Sequence, residues 1–358
     1  MIDCDVHVQI GDREEFLGFI DPAQRAWFRD QGPLLGMPGY SWTHPTGFMR
    51  ADLELGDAGV PGASPAVVAS ELLDRYDVEL GLLTADDGIG VSVMASPYRA
   101  LAYARAHNDW MRDVWLDADR RYRGTILVPA QDPDAAVAEI ERVAADPRFA
   151  AVLLCGGAQA PYGEPRYLRI FESAADAGLA VAIHSGQEGL GTSTSSGGVG
   201  LPSFYVEWHT LGSACSIMTH LVSLICHGTF ERVPGLRVLL MEGGLAWLPG
   251  ILWRLDANWL GLRSEVPWID RRPSQVVRDH VRFTTQPLEL IDGNDDLLFS
   301  MLQAVGAPEI LCFASDYPHW DFDDPAQMLR RLPAEWRQTV MAETAREVFG
   351  ERLGQVAA

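Results

Sequence analysis

The chain has 358 residues, 47% of them hydrophobic, enough for a large core and within the size of one α/β barrel carrying insertions. Its formal charge of −21 excludes the clustered positive surface that phosphate binding requires, so no nucleic-acid partner is expected. All 28 lysine-or-arginine positions are arginine, which excludes a Schiff-base lysine, a pyridoxal phosphate anchor, a P-loop lysine and a carboxylated lysine bridging two metals.

The apolar runs are short and interrupted, so no membrane span is expected. The N-terminus opens into a strand without a basic leader, which argues against a signal peptide and for a cytoplasmic protein. Five cysteines (Cys4, Cys155, Cys215, Cys226, Cys312) form no C-x-x-C pair and read as free thiols of a reducing compartment.

Met1-Ile2 into Cys4 reads as a buried first strand, followed by Asp5-Val6-His7. Residues i and i+2 of a strand share a face, so Asp5 and His7 can reach one point. A long irregular stretch follows, roughly 11–64, rich in Gly, Pro and aromatic residues, and expected to lie over a barrel mouth. Ser64-Pro65 then caps and opens a helix, and 78–83 reads as a second strand. Ser96-Pro97 starts a long helix to about Asp119, 123–128 is a third strand, and Asp132-Pro133 opens the next helix. Strand 150–154 precedes a helix over 167–177 that Gly178 stops, and strand 179–184 ends on His184.

A second insertion, 185 to about 204, is rich in Gly and Ser and reads as a loop. A helical stretch over 207–230 leads to strand 237–241, which ends on Glu242-Gly243-Gly244. Helices around 246–262 and 274–280, strand 280–284, a helix over 292–305 and strand 310–314 complete the series. The last strand runs into Ser315-Asp316-Tyr317-Pro318-His319. Eight strands alternating with helices, with no break in composition, predict a single-domain (β/α)8 TIM barrel over 1–358 with long insertions after strands one and five. A doubly wound sheet would need a glycine-rich turn after the first strand, and Asp5-Val6-His7-Val8 has none.

Barrel enzymes carry their chemistry at the C-terminal ends of the strands. Here those ends hold Asp5, His7, His184, Glu242, Asp316 and His319. Two imidazoles with carboxylates are a usual ligand set for Zn²⁺, Mn²⁺ or Fe²⁺. His44 and Arg50 in the first insertion and His209 just after the second are candidates for lining the substrate pocket, Arg50 as a carboxylate clamp. His220 reads as a packed helix histidine.

These residues, with Thr229 to Arg237, Glu242-Gly243-Gly244, Trp247-Leu248-Pro249 and Trp320-Asp321, give a chain that resembles the amidohydrolase-related family. That family includes aminocarboxymuconate-semialdehyde decarboxylase and related aromatic acid decarboxylases. The resemblance implies one divalent metal, zinc first and manganese or iron as alternatives, held by Asp5, His7, His184 and Asp316, and it suggests a homodimer. The chain departs from the family twice. Asp5 stands where a histidine or glutamate is usual, and Glu242 stands where the family's decarboxylases place a histidine that handles protons.

Hydrolysis of a small, carboxylated or aromatic substrate by metal-activated water is therefore the expected reaction. Asp316 or Glu242 would be the base and His319 a proton shuttle. Glu242 could instead be a further ligand. Non-oxidative decarboxylation, with Asp316 delivering a proton to carbon, is the alternative. A barrel that has lost catalysis and serves as a binding protein is the third possibility.

Overall fold

Eight parallel strands, hydrogen-bonded in chain order, form the centre of the computed structural model, which describes residues 1–31, 48–53, 59–194, 202–290 and 293–354. They are β1 Ile2–Val8, β2 Leu80–Ala85, β3 Tyr122–Leu127, β4 Phe149–Cys155, β5 Ala180–His184, β6 Val238–Met241, β7 Val281–Thr284 and β8 Leu311–Cys312. Every strand residue is buried, as required of a parallel sheet with helices on one face and a packed interior on the other.

The first strand meets the segment that follows the last. Cys4 N–H donates to the Phe313 carbonyl at 2.9 Å, Asp316 N–H to Asp5 at 3.2 Å and His7 N–H to Tyr317 at 2.8 Å. These bonds set the segment after β8 alongside β1, so the first and last strings of polar residues open on one mouth. The fold is the (β/α)8 barrel that the alternation predicts.

Local chemistry starts and stops the helices as expected. Ser64, Ser96 and Asp132 each accept a backbone N–H of the first turn ahead of a proline at the first helical position. Gly178 takes a left-handed φ of 67° where its helix ends. All five cysteines are free thiols, Cys4, Cys155 and Cys312 fully buried.

Two expectations need correction. The stretch after β1 is not wholly irregular, because it contains helices Arg13–Phe19 and Pro22–Gln31. Asp12 caps the first, accepting from the amides of Glu14 and Glu15, and Phe16 and Phe28 pack on Tyr103. The helix expected over 207–230 is broken into Tyr205–Glu207, a wider π-helical turn Trp208–Gly212, Ser213–Cys226 and, after left-handed Gly228, Thr229–Arg232. By length and composition alone the continuous stretch Tyr205–Cys226 is long and apolar enough to cross a membrane. Its Val, Leu, Ile, Met, Ala and Cys supply that apolarity, and Ser, Thr, His and Gly interrupt the run. In the barrel it packs Ile217, Leu221, Leu224 and Ile225 into the core.

Candidate active site

Asp5 and His7 come from β1, His184 is the last residue of β5, and Asp316 lies in the turn after β8. Their side chains converge at the mouth. His7 Nε2 lies 3.0 Å from Asp316 Oδ1 and 3.4 Å from Asp5 Oδ1. His184 Nε2 lies 3.2 Å from Asp5 Oδ2 and 3.1 Å from His7 Nε2. One donor atom from each of the four falls within 4.8 Å of every other, and all four residues are buried.

This geometry fits a divalent cation. The Nδ1–H of His184 donates to the Ser185 carbonyl at 2.6 Å, which leaves the Nε2 lone pair facing the cluster. Asp5 Oδ2 is then a buried oxygen with no hydrogen bond from the described residues. Burial resists charge on all these groups. Even so, His184 and His7 hold the Asp5 carboxyl below its ordinary range, and the surrounding carboxylates hold the His7 imidazole well above its own. The cluster calls for positive charge at its centre, and two nitrogens with two carboxylates match the donor preferences of Zn²⁺, Mn²⁺ and Fe²⁺.

Neighbouring groups fix the four side chains. Thr84 Oγ1, at the end of β2, donates to Asp5 Oδ1 at 2.6 Å, and Gln286 Nε2, after β7, donates to Asp316 Oδ2 at 3.2 Å. Asp3 Oδ1 accepts from the amides of Ser315 at 2.9 Å and Asp5 at 3.3 Å, tying β1 to the last turn. Asp316 and Glu242 both have left-handed backbones, with φ of 58° and 53°. That conformation costs a non-glycine residue roughly 1–3 kcal/mol and collects at functional sites, where surrounding structure holds it.

Around the cluster stand three acid–base groups. Glu242 Oε2 lies 3.2 Å from His184 Nε2, and burial pushes its carboxyl up to about 7. His319 Nδ1 lies 2.9 Å from Asp316 Oδ1, with Nε2 3.4 Å from Asp86 Oδ1. His209, on the π-helical turn, places Nε2 3.0 Å from Asp321 Oδ2 and 3.9 Å from Glu242 Oε1.

The other pocket candidates fare differently. Arg50 forks onto Asp52 at 2.7 and 3.0 Å and lies over the Phe322 ring, so its guanidinium is already engaged. His44 lies outside the described residues. Thr84, Asp86 and Gln286 escape the sequence reading, and Asp321 enters it only within the resemblance, without a role. The signal for the first two was present, since Thr84-Ala85-Asp86 continues an apolar strand, but ending that strand at Leu83 hides them.

A barrel with a buried histidine–carboxylate cluster at its C-terminal mouth defines a metal-dependent barrel enzyme. The amidohydrolase family model matches residues 2–350, and the chain belongs to that family. The gamma-resorcylate decarboxylase of Rhodococcus jostii (strain RHA1) is 24% identical over 280 residues, 73% of this chain and 79% of the relative. The fold is shared with the dihydroxybenzoic acid decarboxylase of Polaromonas sp. JS666, solved with bound manganese and the inhibitor 2-nitroresorcinol. That match has a TM-score of 0.65 and 18% identity, covering 98% of this chain and 96% of the other. An amidohydrolase of Mycobacterium avium subsp. paratuberculosis K-10 matches with a TM-score of 0.72 and 19% identity, covering 98% of each. The protein is an enzyme of the amidohydrolase superfamily.

Proposed function

We propose that the protein is a metal-dependent, non-oxidative decarboxylase of a small hydroxylated aromatic or similarly conjugated carboxylic acid. The observation that carries this reading is the four-residue cluster with the acid–base groups Glu242 and His319 on either side of it. The decarboxylase relatives raise this reaction above hydrolysis.

Asp5, His7, His184 and Asp316 would hold the ion, zinc or manganese. When bound, the ion supplies a receptor for the substrate carboxylate and a neighbouring oxygen. That matters in a chain without lysine whose Arg50 is engaged by Asp52.

Decarboxylation breaks one C–C bond and forms one C–H bond, so a proton must be delivered to carbon as CO2 leaves. Asp316 is held by Gln286 on one oxygen and by His319 on the other, which suits it to receive a proton from His319 and pass it to carbon. Glu242, a buried carboxyl 3.2 Å from His184 Nε2, takes the place of the family's histidine as the acid–base group on that side of the cluster. His209, braced by Asp321, faces Glu242 from the π-helical turn and is placed to orient a substrate hydroxyl.

Hydrolysis remains a second reading because of Glu242, a carboxylate positioned to take the proton of an attacking water. Incubating the metal-loaded protein with a panel of hydroxybenzoates and carboxylated muconate semialdehydes separates the two. CO2 release with loss of the carboxylate supports decarboxylation. Turnover of esters, lactones or amides with every carboxylate retained would replace it with hydrolysis.

A further inference from the structure

Asp86 directly follows β2, and its carboxylate sits between two imidazoles. Its N–H donates to the Val8 carbonyl at 3.2 Å, and its Oδ2 accepts from Gln9 Nε2 at 2.6 Å. The other oxygen, Oδ1, lies 3.6 Å from His7 Nδ1 and 3.4 Å from His319 Nε2. The rings of His7 and His319 lie against each other with centroids 4.1 Å apart. His7 turns Nε2 to the cluster, and its buried Nδ1 has no hydrogen bond among the described residues.

We propose that Asp86 is a positioning residue, the carboxylate that sets both His7 and His319. Its Oδ1, 3.6 Å from His7 Nδ1 and just beyond hydrogen-bond reach, is placed to take that N–H on a small shift, which fixes the tautomer whose Nε2 lone pair faces the metal cluster. It takes the Nε2–H of a His319 imidazolium, which leaves the Nδ1–H directed at Asp316 Oδ1. A metal-bound histidine that donates its second N–H to a carboxylate is both better oriented and more basic, and losing such a partner typically weakens metal binding about 10- to 100-fold. Gln9 keeps Asp86 Oδ2 occupied, so Oδ1 remains turned to the rings.

His7 Nδ1, Asp86 and His319 are also close enough to form a second ligand set. Filling both sets would require His7 to lose both ring protons and bridge two ions, whereas positioning requires only the neutral ring. The geometry therefore points to hydrogen bonding. The inference rests on the metal site of the proposed function and is independent of which bond the enzyme breaks.

The test is titration of Mn²⁺ into the metal-stripped full-length protein, read by calorimetry. Wild type is expected to bind one ion per chain. Asp86→Asn should bind it about 10- to 100-fold more weakly, with the metal-free melting temperature close to wild type, and Asp86→Glu should recover part of the loss. Gln9→Leu, which frees Oδ2, should weaken binding less and in the same direction. Equal affinity in D86N and wild type overturns the proposal, as do two ions per wild-type chain. If D86N does not fold, unchanged affinity in Gln9→Leu overturns it instead. A wild type that binds no divalent ion overturns both this inference and the metal-dependent reading. Absence of CO2 release from a metal-loaded wild type removes the decarboxylase reading alone.

Discussion

Glu242 Oε2 and His184 Nε2 face each other at 3.2 Å, so the residue that departs from the family's decarboxylases touches a candidate ligand. Glutamine in its place keeps the size and the left-handed backbone but cannot transfer a proton. Glu242→Gln is expected to lower kcat by about 10²- to 10⁴-fold, the usual range for a lost acid–base group, while leaving Mn²⁺ affinity within a few-fold of wild type. Steady-state kinetics beside a metal titration measure both. A variant with wild-type kcat would remove Glu242 from the chemistry, and a collapse of affinity would make it a ligand.

Chelation should abolish turnover, and added Mn²⁺ or Zn²⁺ should restore it. The folded cluster binds the ion and the unfolded chain does not hold these four residues together, so metal also stabilises the fold. Excess ion at about 100 times its Kd adds about 2.7 kcal/mol. Thermal melts of stripped and reloaded protein should show an upward shift that His184→Ala and Asp316→Ala each remove. Identical melts with and without every ion tried would rule out the site.

The sequence makes the fold and the centre of the site legible for one physical reason. Asp5, His7, His184, Glu242 and Asp316 each sit in or just beyond an apolar strand, where barrel topology sends every side chain to the same mouth. The flanks were harder to read. Asp86 depends on where β2 ends, and Gln286 and Asp321 meet at 2.8 Å from two different loops that no local pattern joins. His209 reaches Asp321 only because a π-helical turn carries it inward. The helices after β1 were signalled by Asp12 as a cap and Pro22 at a first helical position, and the surrounding glycines and prolines obscured them.

Gly62 couples one insertion to the cluster. Its φ is 70°, and a Cβ there would stand 2.9 Å from the His7 carbonyl and 3.2 Å from the Pro318 ring. Gly62→Ala therefore strains its own backbone and pushes on a ligand-bearing strand. We expect a loss of roughly 1–3 kcal/mol in denaturant unfolding of the metal-free protein, with weaker Mn²⁺ binding as well. Wild-type stability together with wild-type affinity would show that the mouth tolerates the displacement.

His220 supplies a pH dependence from outside the four-residue cluster. Its Nε2–H donates to the Gly156 carbonyl at 2.8 Å, and its Nδ1 accepts the Tyr162 N–H at 3.2 Å. A second ring proton would point at that N–H, and burial lowers the imidazole to about 4. The unfolded chain therefore takes up the proton first as the pH falls. The contribution is complete above about pH 6.5, drains away between 6.5 and about 4, and is constant below. It amounts to on the order of 3 kcal/mol, since one pKa unit is worth about 1.4 kcal/mol. Asp323, raised to about 7 by burial, has the opposite sign, so the comparison must be made against a variant. His220→Gln is expected to be less stable than wild type at pH 7.5 and to show a smaller loss of stability between pH 6.5 and 4. Urea unfolding across that range measures the slopes, and parallel slopes for the two proteins would mean that His220 does not titrate there.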